Sequence, residues 1–109
     1  MEEFAFKPAF LLPYFNHPAR IAELVHALAP IAPVLIVDDG SDEASKSAIK
    51  GLVAQIYTRA QNGGKGAAVC DGLAWAKELG FTHAFQIDAD FQHDVSRCEE
   101  LLALAAQQP

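Results

Sequence analysis

The residues best suited to chemistry stand together in the stretch Thr82 to Asp94, THAFQIDADFQHD. Its first half, centred on Ala84, Phe85 and Ile87, reads as a buried strand. Its second half gathers Asp88, Asp90, His93 and Asp94. Acids clustered at the end of a buried strand are costly unless something positive joins them. Alternation along an extended chain puts Asp88 and Asp90 on the same side. Two carboxylates so placed suit a hard divalent cation, Mg²⁺ or Mn²⁺, which in turn holds a diphosphate. Gln92 and His93 are candidates for further ligands or for groups that orient the ligands. The competing reading is a solvated acidic loop.

Two other clusters carry unusual residues. Asp38-Asp39-Gly40-Ser41-Asp42 follows the β-branched run Pro33–Val37. Ordinary turn chemistry accounts for Asp39, Gly40 and Ser41. Asp38 lies nearest the buried strand, where an acid is placed to accept hydrogen bonds from a ribose or a base. Gly63-Gly64-Lys65-Gly66 offers backbone amides and an ammonium for phosphate, or else is only a flexible loop and helix start. It is not a Walker A loop, since no Ser or Thr follows Lys65. It is not a dinucleotide fingerprint either, since the first strand ends in Tyr14-Phe15-Asn16 without glycine.

These clusters need a scaffold, and the pattern supplies one. Ala9–Tyr14 reads as a first buried strand. Asn16 or His17 is expected to cap a helix with Pro18 in its first turn, its inner face formed by Ile21, Leu24, Val25 and Leu28. Pro33–Val37 is a second strand, and a helix capped by Ser41 or Asp42 runs to about Lys50. Leu52–Thr58 is a third strand, less apolar and so nearer an edge. A third helix spans Lys65–Leu79, with Gly72 allowing close packing on the sheet. The acidic strand follows, then a helix over Ser96–Ala106 that carries Leu101, Leu102 and Leu104. Strand–helix alternation of this kind predicts an α/β fold: a parallel, Rossmann-like sheet with helices on both faces. Ligands bind such sheets at the carboxyl ends of the strands. Those ends are Pro13–Asn16, Asp38–Ser41, Arg59–Gly66 and Asp88–Asp94, where the chemistry-bearing residues are concentrated.

The bulk numbers narrow the function. A chain of 109 residues makes one small domain. A net charge of −6 argues against a nucleic-acid phosphate binder, which normally shows a basic face. Cys70 and Cys98 form no CxxC and read as small buried apolar side chains in a reducing cytoplasm. The acidic start Met1-Glu2-Glu3 is unlike a signal peptide, and the run Ile31–Val37 is too short to span a bilayer.

Taken in order, Pro13-Tyr14-Phe15-Asn16, Val37-Asp38-Asp39-Gly40-Ser41, Asn62-Gly63-Gly64-Lys65-Gly66 and Asp88-Ala89-Asp90-Phe91-Gln92-His93-Asp94 resemble the N-terminal, nucleotide-sugar-binding half of family 2 glycosyltransferases, inverting enzymes with a GT-A fold. The last segment is most similar to the branch with dolichol- and polyprenyl-phosphate sugar transferases. The resemblance implies that Pro13, Tyr14, Asn16, Asp38 and Asp39 hold the base and ribose of a UDP- or GDP-linked sugar. It implies Lys65 and Asp88 near the diphosphate. It also implies Asp88 and Asp90, the DxD pair, as ligands of Mg²⁺ or Mn²⁺, with Gln92 as a further ligand. It leaves the catalytic base unassigned and the acceptor, lipid-linked or glycan, unknown. It covers nearly the whole chain, but the chain covers about half of a family catalytic domain, so residues 1–109 are expected to form a partial domain that is inactive alone. In the parent enzyme a cytoplasmic place at the inner face of a membrane follows. The alternatives are a non-catalytic nucleotide-sugar-binding or scaffold module, and a nucleotidyltransferase-like enzyme. The family strand order 3-2-1-4 places the acidic strand at an edge, where Ala84, Phe85 and Ile87 are expected to leave an apolar surface that pairs two copies into a dimer.

Overall fold

The computed structural model describes residues 6–88 and 96–107. Four strands, β1 (Pro8–Tyr14), β2 (Val34–Asp38), β3 (Gln55–Thr58) and β4 (His83–Gln86), alternate with four helices, α1 (Ile21–Leu28), α2 (Glu43–Ile49), α3 (Lys65–Glu78) and α4 (Ser96–Gln107). The sheet is parallel, in the order β3-β2-β1-β4. The expected order therefore stands, with β3 and β4 at the edges.

Side-chain alternation on the two central strands builds two cores. Phe10, Leu12 and Tyr14 of β1 join Val34 and Ile36 of β2 on one face, where Ile21, Leu24, Val25 and Leu28 of α1 cover them. Ile49 of α2 and Cys98 and Leu102 of α4 complete this side. Ala9, Leu11, Leu35 and Val37 point to the other face and meet Ala68 and Ala76 of α3. Both faces of β1 and β2 are thus dry, as their continuous apolar runs require.

Gly72 explains how α3 lies so close. A Cβ there would stand 2.7 Å from Leu11 Cδ1 and 2.8 Å from Val37 Cγ2, nearer than packed carbon atoms approach. The inner face of α3 is Ala68, Gly72 and Ala76. Small residues at i, i+4 and i+8 leave little hydrophobic signal but let backbone meet sheet.

Four expectations need correction. The helix α1 begins at Ile21 after Arg20, with no side-chain cap. Neither Asn16 nor His17 caps it, because Asn16 is engaged elsewhere. The strand β3 starts at Gln55 rather than Leu52, since the amides of Leu52 and Ala54 close turns onto Ile49 and Leu52. Cys70 is exposed, since it falls off the Ala68–Gly72–Ala76 face, and only Cys98 is buried. The apolar edge is also smaller than expected. Ile87 is buried and packs in the same core as Cys98 and Leu102 of α4, while Ala84 and Phe85 are half-buried against opposite cores. The side-chain contribution to pairing two copies along β4 is correspondingly reduced. Leu101 and Leu104, on the outer side of α4, are exposed. Among the described residues no helix is long and apolar enough to cross a membrane.

Candidate functional site

Register brings the strand ends level. Tyr14 pairs with Asp38, and Asp38 with Thr58, so β1, β2 and β3 finish together. The ladder runs one step further on each side, with the Asp39 amide donating to Tyr14 O and the Arg59 amide to Asp38 O. On the β4 side, Leu11 pairs with Gln86 and the Ile87 amide donates to Leu11 O. The Phe10 amide donates to Pro33 O, toward β2. Alternation then turns Pro13 toward β4. Proline has no N–H, so β4 finds no donor there, and the paired register of the two strands ends at Leu11 and Gln86.

The four ends enclose one cleft of about 430 Å³, lined by Pro13, Tyr14, Phe15, His17, Asp39, Asn62, Gly64, Lys65, Ala68 and Asp88. Sites for small ligands are typically about 300–1,000 Å³. Five expected site residues, Pro13, Tyr14, Asp39, Lys65 and Asp88, therefore meet in one place. Asn16 and Asp38 do not line it. Asp90 and Gln92 lie outside the described residues, as do His93 and Asp94.

Several of these residues hold the walls in place. Tyr14 is buried, and its hydroxyl donates to Ser45 O of α2 at 2.7 Å. Burial raises its pKa against the opposing effect of that hydrogen bond, so the hydroxyl stays protonated. Asn16 takes a left-handed backbone, φ 46°, which Asn tolerates better than most residues. Its amide donates to Ser41 Oγ at 3.0 Å, and its Oδ1 accepts from the Asp42 amide at 2.7 Å. Asn16 thus stitches the loop after β1 to the start of α2, where Asp42 is the N-cap and accepts from the Ser45 amide.

Asp38 and Asp39 diverge. The Asp38 side chain is fully buried. Its Oδ1 accepts from the Ser41 amide at 3.0 Å, a turn-forming role. Its Oδ2 has no hydrogen-bond partner among the described residues, and an unsatisfied buried oxygen costs about 1–3 kcal/mol or more. Asp39 anchors the glycine loop. Its carboxylate accepts from the Gly63 and Gly64 amides, from Asn62 Nδ2 and from Arg59. Burial works against this carboxylate, but the Gly63 amide, the Arg59 guanidinium and the Gly64 amide outweigh it and hold the pKa below the usual range. Gly40, at φ 77°, permits the close approach of the two loops: a Cβ there would stand 3.0 Å from Asn62 N.

The expectation that the glycine-loop amides serve phosphate is corrected in part, since the amides of Gly63 and Gly64 are engaged by Asp39. Lys65 is the positive group of that loop that lines the cleft. Its Nζ lies 2.6 Å from Asp88 Oδ1, and Gln86 Nε2 donates to the same oxygen at 3.2 Å. Lys65 first, against the opposing effect of burial, and Gln86 next hold the Asp88 pKa below its ordinary value.

Arg59 was not singled out from the sequence. It grips Asp39 through Nη1 and Asp71 of α3 through Nε, the latter at 2.7 Å, and so ties the loop to the helix beneath it. Phe15, which lies in the expected strand end but was given no role there, and His17, whose only signal was adjacency to Asn16, also line the cleft.

A site for a divalent cation is consistent with the donor chemistry. Asp88 is half-exposed at the cleft and already holds a cation, the Lys65 ammonium. Among the described residues no group of three or more His, Cys, Asp or Glu could hold a metal. Of the two cleft carboxylates among the described residues, Asp39 is taken by the glycine loop, which leaves Asp88 as a donor that would suit an ion whose other ligands are water and phosphate oxygens.

Seven solved chains match this one, among them the following two. TarS residues 1–349 from S. aureus superposes with a TM-score of 0.67 at 22% identity, covering 94% of this chain and 32% of that one. Glucosyl-3-phosphoglycerate synthase from Mycobacterium tuberculosis, in complex with Mn²⁺, uridine diphosphate and glucosyl-3-phosphoglycerate, gives 0.61 at 20% identity, covering 78% and 34%. The chain spans about a third of each of those chains. No curated protein matches the sequence significantly. The profile of "Glycosyl transferase family 2" matches residues 10–109. With its parallel sheet in the order β3-β2-β1-β4 and helices on both faces, this Rossmann-like GT-A chain belongs to glycosyltransferase family 2.

Proposed function

We propose that residues 1–109 form the donor-binding part of an inverting, metal-dependent glycosyltransferase that uses a nucleoside-diphosphate sugar. The observation that carries this reading is the convergence of Pro13, Phe15, Asp39, Lys65 and Asp88 on one cleft at the carboxyl ends of the strands. Phe15, 46% exposed, offers an apolar face to a base. Lys65 and Asp88 are placed for the diphosphate, Lys65 directly and Asp88 through a divalent ion. Asp38 Oδ2, buried and without a partner among the described residues, is an acceptor next to the cleft-lining Asp39 that the reading assigns to the base or ribose. Tyr14 and Asn16 serve the site by shaping its wall.

Bound Mg²⁺ or Mn²⁺ supplies positive charge that stabilises the leaving nucleoside diphosphate. Asp88 contributes an anionic ligand, and Asp90 and Gln92 are proposed to complete the set. Lys65 adds a second positive charge on the phosphate side. The catalytic base and the acceptor-binding surface are proposed to lie outside residues 1–109, and the acceptor, lipid-linked or glycan, is left open. In this reading the isolated chain binds donor but does not turn it over.

Calorimetry with UDP and GDP, each with and without Mn²⁺, tests the reading. UDP is the first probe because the mycobacterial enzyme was crystallised with it and with Mn²⁺. Binding is expected to be weak and to require the metal. Metal-independent binding, or none in a folded sample, contradicts the site assignment. Turnover of a donor by the isolated chain contradicts the division of labour.

A further inference from the structure

We propose that Lys65 is the resident counter-ion of Asp88 and competes with the divalent cation for it. The proposal rests on the donor-binding reading of the cleft and adds an order to it: Lys65 yields Asp88 to the cation as the diphosphate draws its ammonium away.

Three observations carry this. Lys65 Nζ sits 2.6 Å from Asp88 Oδ1, the same oxygen that Gln86 contacts, so a positive group already lies against that carboxylate. A second cation on the same carboxylate would be repelled by the first. Second, the pair is easily exchanged, because Lys65 is 57% and Asp88 48% exposed, and half-solvated ion pairs hold weakly. Third, Lys65 is the first residue of α3, which has no acidic residue in its first turn. A positive charge at the positive end of a helix dipole is disfavoured unless an anion lies beside it. Asp88 is that anion in the free protein, and a diphosphate in the same cleft would be a larger one.

Removing the Lys65 charge therefore has opposite effects on the two ligands. It takes a contact from the diphosphate and removes a competitor from the cation. A lysine that served phosphate alone would leave the affinity for the cation unchanged.

The test is a titration of the full chain with Mn²⁺ alone, reading free aqueous Mn²⁺ by its paramagnetic resonance signal. Lys65→Met is expected to bind Mn²⁺ about fivefold more tightly than the unaltered chain, the effect of one half-exposed ion pair. Lys65→Gln, which keeps a polar contact without the charge, is expected to behave in the same way. Adding Asp88→Asn to Lys65→Met should cancel the gain. With UDP present, the increase in Mn²⁺ affinity should be smaller in Lys65→Met than in the unaltered chain. Equal or weaker Mn²⁺ binding by both lysine variants overturns the proposal, as does the absence of Mn²⁺ binding by any of these proteins. A gain that appears without any response to UDP upholds the competition and removes the nucleotide reading, so the two failures are distinguishable. Circular dichroism confirms that each variant is folded.

Discussion

Asp88→Asn is expected to lower metal-dependent nucleotide binding by about 10- to 100-fold, a loss seen even for the outer partners of metal ligands. Stability is expected to change by no more than about 1 kcal/mol, the upper range for an exposed ion pair. The two magnitudes differ because Asp88 supports little of the fold. It follows the end of β4, it is half-exposed, and among the described residues its polar contacts are Lys65 and Gln86. An amide in its place keeps the shape and removes the charge that a hard cation needs. Calorimetry with UDP and Mn²⁺ reads the first effect, and thermal unfolding reads the second. A large stability loss with unchanged binding would make Asp88 a structural residue.

Arg59→Met is expected to do the reverse, lowering stability by about 2 kcal/mol, or roughly 10 °C in Tm for a chain of this size. Arg59 bridges Asp39, whose side chain is 3% exposed, and Asp71 on α3. Its removal leaves the Asp39 carboxylate buried with the Gly63, Gly64 and Asn62 donors but no positive partner. Those remaining donors keep the cost below that of a wholly orphaned charge. The effect has a pH signature. The Asp39 pKa is lowered in the folded protein, so its stabilising contribution is present above the unfolded value of about 3.9 and is lost as pH falls below it. Arg59→Met removes part of that lowering. The gap between variant and unaltered chain should therefore narrow below about pH 4. A gap that stays constant with pH would mean that Arg59 acts by packing rather than through Asp39.

Periodicity was a sound guide wherever burial was decided by large apolar side chains. Ile21, Leu24, Val25 and Leu28 fall on one face of α1, and all four are buried. The continuous runs of β1 and β2 fit their place at the centre of the sheet, in the strand order that the family resemblance implied. The cleft was legible at the level of segments, because the chemistry-bearing residues fall at the carboxyl ends of the strands, where parallel sheets bind ligands. Individual roles were not legible, because they depend on contacts made across the fold. Asp39 and Arg59 stand twenty residues apart and meet only because β2 and β3 end level. The adjacent acids Asp38 and Asp39 look equivalent in sequence, yet one closes its own turn and the other holds a distant loop. Tyr14 and Asn16 belong to the expected segment, but their polar atoms face α2 and its loop.

The account turns on whether a nucleoside diphosphate and a divalent cation meet at the strand ends, and paramagnetic broadening tests this most directly. Substoichiometric Mn²⁺ is added to the isotopically labelled chain in the presence of UDP, and backbone amide signals are followed. The account predicts that broadening is strongest at Ile87 and Asp88, reaches Gly64 and Lys65, and spares Val53 and Ala54 before the start of β3. Broadening centred on another surface, or unchanged by UDP, would contradict it.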